Sequence, residues 1–130
     1  MILLNETKIK YLEVFSEKVL TQIEKTNIEL PNKTIIKKTC SIGCASLPFE
    51  MRSSDLLTFE QTVNICDFGL YQAKEHGRNC SVHVSLAKSE YKNDRELKQY
   101  LTSLTKNSPI NNNFINLKYI RTQKNGLNLS

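Results

Sequence analysis

The stretch Asp67-Phe-Gly-Leu-Tyr-Gln-Ala-Lys-Glu-His-Gly-Arg-Asn79 decides how this chain is read. Its first part closes an amphipathic helix: Phe59, Val63, Cys66, Leu70 and Ala73 recur at steps of three and four, which makes one apolar stripe. Thr58-Phe-Glu-Gln61 fits the capping box that starts such a helix. Gly77 stands where a left-handed residue ends it. Cys80, Val82, Val84 and Leu86 then alternate, the mark of a strand with one core face. The helix-to-strand junction therefore carries two cations, Lys74 and Arg78. Cations at the carboxyl end of a helix complement its dipole with no ligand present. They are also what a phosphate needs there, because bare carbonyls repel an anion. Spacing alone leaves both readings open.

Upstream, Met1 to Leu4 reads as a short buried strand, and residues 5–7 can cap the helix that follows. In that helix, spanning about residues 8–25, Ile9, Leu12, Phe15, Val19 and Ile23 form the stripe expected to face the core. Asn27 to Leu30 fits a short strand, and Pro31-Asn32-Lys33 a turn. Thr34 to Leu47 reads as one strand ended by Pro48, with Ile36, Cys40, Ile42 and Cys44 on one face. Gly43 inside that strand points to the close approach of another backbone or to a bulge. Downstream, Asp94 is expected to cap a helix bearing Leu97, Tyr100, Leu101 and Leu104. Ile115, Leu117 and Tyr119 alternate as a strand, and Asn125-Gly126 fits a hairpin turn into Leu127 and Leu129.

The 130 residues, 39% hydrophobic and 24% charged, suit a folded domain rather than a disordered chain. No apolar run nears the roughly 18 residues of a bilayer span, so a cytoplasmic protein is expected. The net charge of +5 suits phosphate-bearing partners, but the lysines are scattered rather than blocked, which disfavours nucleic acid as the partner. Cys40, Cys44, Cys66 and Cys80 form no C-x-x-C pair, and most read as reduced core thiols rather than metal ligands.

Asp67 to Asn79 closely resembles the closing signature of the GGDEF domain of diguanylate cyclases, A-D-x-A-L-Y-x-A-K-x-x-G-R-N. Three further stretches follow the same family in order: Met1-Ile-Leu-Leu, Phe15-Ser-Glu-Lys-Val19, and Thr39-Cys-Ser-Ile-Gly43, which is similar to T-I-S-I-G. Leu47-Pro-Phe49 with Leu57-Thr-Phe-Glu-Gln61 resembles a branch attached to sensor proteins. The resemblance implies an α+β fold, part of a nucleotidyl-cyclase or palm-like (ferredoxin-like) sheet with packed helices, over residues 1–86. Residues 87–130 would be an extension of one helix and a hairpin. Family members join two GTP molecules into cyclic di-GMP with two metal ions assisting, which implies GTP and magnesium as ligands of the intact domain. By position, Lys74 and Arg78 would hold phosphates, with Asp67 and Asn79 in support. Seven residues before Lys74 on the same helical face, Asp67 would orient Lys74 or another cation, or stand as a solvated or packing-tethered carboxylate; Asn79 would satisfy backbone groups at the turn. Lys18 falls where the family's inhibitory site takes an arginine, and lysine lacks the bidentate fork.

The signature G-G-[D/E]-E-F is nowhere in these residues, nor are the metal carboxylates of the family's upstream half. Metal-assisted transfer needs those carboxylates, so no cofactor is expected on this chain alone and no synthesis by it. The expected function is that of a truncated GGDEF domain, whether a fragment of a longer cyclase or a remnant. The alternative is a degenerate remnant acting as an interaction module on an intact GGDEF or sensor protein. Self-association through the Met1 strand is a further expectation, because half a sheet leaves an open edge.

Overall fold

The computed structural model describes residues 1–4, 8–45, 57–87, 93–111 and 113–122. Within them the fold is α+β, with three helices and two small sheets. Helix α1 spans Ile9–Lys25, α2 Phe59–Glu75 and α3 Asp94–Ser103. Strands β1 (Asn27–Glu29) and β2 (Ile35–Lys37) pair as an antiparallel hairpin. Strands β3 (Ile42–Ala45), β4 (Cys80–Leu86) and β5 (Ile115–Arg121) form the main sheet in the order β3-β4-β5. β3 and β4 run parallel, joined by α2, and β5 lies antiparallel to β4.

Alternation along the strands sorts the two faces. Gly43, Val82 and Val84 face α2, and the contact at Gly43 is backbone on backbone. A Cβ there would stand 2.0 Å from the Cys66 carbonyl oxygen and 2.3 Å from the Leu70 nitrogen. The close approach expected at Gly43 is thus found, and α2 makes it. Ile65, Phe68, Val84, Leu97, Leu101, Leu104 and Ile115 close the core on this face, so α3 and β5 share it with α2 and β4. Tyr100 stacks on Phe114 at the rim, ring centroids 4.8 Å apart.

The opposite face of the sheet is polar, and α1 covers it. Ser16 and Leu20 are the buried residues of α1, while Ile9, Tyr11, Val14 and Phe15 are exposed. The core-facing stripe expected of α1 is therefore misplaced by a rotation of the helix. The cause lies beneath it: Ser81 and His83 are buried on β4, and the Ser16 hydroxyl settles 3.2 Å from His83 Nε2 and 3.7 Å from Cys44 Sγ. The same hydroxyl donates to the Leu12 carbonyl at 2.8 Å. At the margin, Lys118 Nζ meets Glu13 Oε1 at 2.7 Å. A polar sheet face selects a polar line of the helix, because a buried hydroxyl or imidazole without a partner costs about 1–3 kcal/mol.

Four other expectations need correction. Residues 1–4 form no strand, and Met1, Ile2 and Leu3 are exposed. Apolar composition does not make a strand without an edge to pair with. The single strand expected over residues 34–47 is two: β2 ends at Lys37, and β3 starts at Ile42 in another sheet. The apolar line on α2 is turned, with Thr62, Ile65, Phe68, Gly69 and Ala73 buried and Phe59 exposed. Asn93, not Asp94, caps α3; its Oδ1 accepts from the Glu96 amide at 2.8 Å. The Thr58–Gln61 capping box forms in both directions. The Pro31–Lys33 turn closes with Lys33 at φ 65°. The caps proposed at 5–7, the Leu47-Pro48-Phe49 segment and the Asn125-Gly126 hairpin lie outside the described residues.

His83 gives this face a pH dependence. Burial lowers its basicity; Glu13 raises it in part and Lys118 lowers it further. Ser16 is its uncharged hydrogen-bonding neighbour, and Cys44 stands opposite it in the ladder. Because the folded value lies below the unfolded one, the neutral ring's contribution is fully present above the unfolded pKa of about 6.5. It is lost as pH falls through the lowered folded value. Each unit between the two corresponds to about 1.4 kcal/mol. Urea midpoints measured from pH 8 downward should fall below pH ~6.5, and His83→Gln should flatten that slope.

Candidate functional site

The junction of α2 and β4 is built from four residues with unusual backbone. His76 ends the helix, and the Arg78 amide donates back to the Ala73 carbonyl at 3.0 Å, the long bond of a Schellman closure. Gly77 supplies the left-handed residue at φ 93°. The chain then stays left-handed through Arg78 (φ 62°) and Asn79 (φ 49°) before entering β4. Left-handed geometry costs an ordinary residue about 1–2 kcal/mol, so something outside the turn must hold Arg78.

Three contacts do so. Arg121, the last residue of β5, sits opposite Cys80 in the ladder. Its guanidinium donates to the Arg78 carbonyl at 3.3 Å and makes a short bond to the His76 carbonyl. Tyr119 lays its ring against His76, centroids 4.2 Å apart. From the other side, Asn79 Nδ2 donates to Glu24 Oε1 of α1 at 3.1 Å. The Asn79 side chain thus ties the α2–β4 turn to α1; the expectation that it would satisfy turn backbone is not met. Its Oδ1 is buried without a partner.

Lys74 and Arg78 project from this frame into solvent, and among the described residues neither side chain takes part in an ion pair or hydrogen bond. Both stand at the junction, Lys74 in the last turn of α2 and Arg78 in the turn after it. Asp67 lies two helical turns earlier and is exposed. With Asn64, Phe68, Leu104, Thr105 and Lys106 it lines a pocket of about 280 Å³ between α2 and the end of α3. The only ion pair among the described residues is Lys118–Glu13, so Asp67 is not clasped to Lys74. Lys18 is exposed on the outer face of α1, beside Val14, Phe15 and Val19.

The four cysteines are free. Burial, with help from Cys44 and Asp67, pushes the Cys66 thiol up to about 11, and burial also raises Cys40 and Cys80. Such thiols stay protonated and unreactive at neutral pH. Among the described residues no group of three or more His, Cys, Asp or Glu side chains that could hold a metal ion comes together. No described helix is long and apolar enough to cross a membrane. Compared with known protein families, with curated proteins and with solved structures, the chain matches none.

Arg121, Glu24 and His83 were missed by sequence reasoning. Arg121 and Glu24 act through the register of β5 and the placement of α1. His83 alternates with Val82 and Val84, which is the pattern of a solvent-facing residue.

Proposed function

We propose that this chain is the phosphate-holding half of a GGDEF-type, palm-like domain, binding the phosphates of GTP through Lys74 and Arg78. The observation that carries this reading is the α2–β4 junction. It leaves two cations without a partner among the described residues at a helix end closed by Gly77, with a parallel β3-α2-β4 unit behind them. A forked and a flexible cation suit a polyphosphate chain, which offers several oxygens at changing distance. In this reading the chain does not synthesise cyclic di-GMP by itself, since these residues contain neither G-G-[D/E]-E-F nor a described metal carboxylate set.

The test is calorimetry of GTP with magnesium on the wild type and on the Lys74→Ala/Arg78→Ala variant. Weak binding by the wild type, lost in the variant, is the expected outcome. The loss should reach at least about tenfold, since charge-assisted hydrogen bonds are worth about 1.5–3 kcal/mol each. Equal binding by both proteins would place the nucleotide elsewhere.

A second reading, an interaction module, rests on a separate observation. Among the described residues, β3 has a neighbour on one side only. Tyr11, Val14 and Phe15 of α1 are also uncovered. An open strand edge and exposed apolar side chains are each surfaces that pair readily with another chain.

A further inference from the structure

We propose that Arg121, at the end of β5, is a positioning residue that converts the α2–β4 junction from an anion-repelling helix end into an anion-accepting one. The proposal rests on the phosphate-binding reading of Lys74 and Arg78 and assigns that site its control.

A helix carboxyl terminus presents its last carbonyls and about half a negative charge. A phosphate approaching Lys74 and Arg78 would meet these oxygens. Arg121 occupies one of them, the His76 carbonyl at the cap, and with the other terminal nitrogen of its guanidinium takes the Arg78 carbonyl in the turn just beyond. The negative end is thereby covered by a full positive charge, which neither Lys74 nor Arg78 has to provide. Both remain free for a ligand among the described residues.

The same fork fixes geometry. Gly77, Arg78 and Asn79 are consecutive left-handed residues, and the direction of the Arg78 side chain depends on that run. Arg121 binds carbonyls on either side of Gly77, so the turn cannot open without breaking one of them. The strand carrying Arg121 is held to β4 along its length, and Tyr119 braces His76 two residues earlier. The tail thus reaches the junction through a rigid element. Detaching the end of β5 would uncover the carbonyls and release Arg78 in one motion. The ligand class is an inorganic or nucleoside polyphosphate, and the junction's affinity for it depends on the tail.

The experiment compares wild type, Arg121→Lys and Arg121→Ala in the full chain by three readouts. These are calorimetric binding of magnesium-GTP, melting temperature, and hydrogen exchange at the Arg78 amide, which is bonded to the Ala73 carbonyl. Arg121→Ala should weaken binding about tenfold, the equivalent of about 1.4 kcal/mol, and speed Arg78 exchange. Its melting temperature should fall by only a few degrees, because Arg121 is exposed and interactions of exposed charges contribute at most about 1 kcal/mol. Arg121→Lys keeps the charge without the fork, so binding should recover in part while exchange stays fast. Wild-type affinity and wild-type exchange in Arg121→Ala would overturn the proposal and leave the phosphate reading standing. Binding lost together with a large fall in melting temperature, and not recovered by lysine, would make Arg121 merely structural. If wild type itself does not bind, or the Lys74→Ala/Arg78→Ala variant binds equally well, the phosphate reading fails and this inference falls with it.

Discussion

Gly43→Ala should leave little folded protein. A single methyl group at this position points into the backbone of α2: 2.0 Å from the Cys66 oxygen, 2.3 Å from the Leu70 nitrogen and 2.9 Å from its Cα. A side chain could rotate away; a helix backbone can only retreat as a body. Retreat would lift α2 from β3 and open the core around Ile65 and Phe68. Overpacking a core ordinarily costs about 1–3 kcal/mol, and a contact this short on main-chain atoms belongs above that range. A domain with about 5–15 kcal/mol of stability loses most of it. Gly69 faces the same interface and serves as the comparison. A methyl there would meet Val84 Cγ2 at 2.9 Å and the Val82 oxygen at 3.2 Å, and the valine can adjust. Thermal unfolding followed by circular dichroism should therefore rank wild type above Gly69→Ala, with Gly43→Ala far below both. A Gly43→Ala protein melting with the wild type would mean that α2 does not lie on β3 as described.

The part of this fold legible in the sequence was its local part. The capping box at Thr58, the left-handed stop at Gly77 and the alternation from Cys80 each involve neighbours in the chain, and each stands where expected. Gly43 was legible as a close approach, because a glycine inside a strand has few other uses. The stripe on α1 was not. Its five apolar positions outnumber its buried ones, and only the polar residues beneath, Ser81 and His83, explain why Ser16 turns inward. Periodicity reports that a helix has an apolar face; what that face meets depends on the surface opposite it. The candidate site divides the same way. Lys74 and Arg78 could be named from their place at a helix end. Their support by Arg121 and the Asn79–Glu24 bond crosses 43 and 55 residues of chain, and local pattern does not carry that far.

Ile115→Ala should destabilise the whole protein and not the tail alone. Ile115 is fully buried and packs in one cluster with Ile65 and Phe68 of α2, Val84 of β4, and Leu97 and Leu101 of α3. Removing three methyl-sized groups from such a site costs about 2–5 kcal/mol, depending on how far the walls collapse. If residues beyond 86 were an appendage, that cost would fall on the appendage. The sheet argues otherwise: β5 pairs with β4 from Cys80↔Arg121 to Leu86↔Ile115, so β5 supplies the hydrogen-bond partners along one edge of β4. Fraying at Ile115 exposes that edge and the α2 face behind it. Hydrogen exchange decides the matter. In Ile115→Ala the protected amides of α2, β4 and β5 should all lose protection by a similar factor, as members of one cooperative unit do. Ile110→Ala, at a side chain 43% exposed, should change little. Exchange that quickens in β5 alone would separate the tail from the core and would remove the rigid support on which Arg121 depends. Exchange that quickens throughout ties the cation junction at the end of α2 to the packing of Ile115 at the opposite end of the same strand.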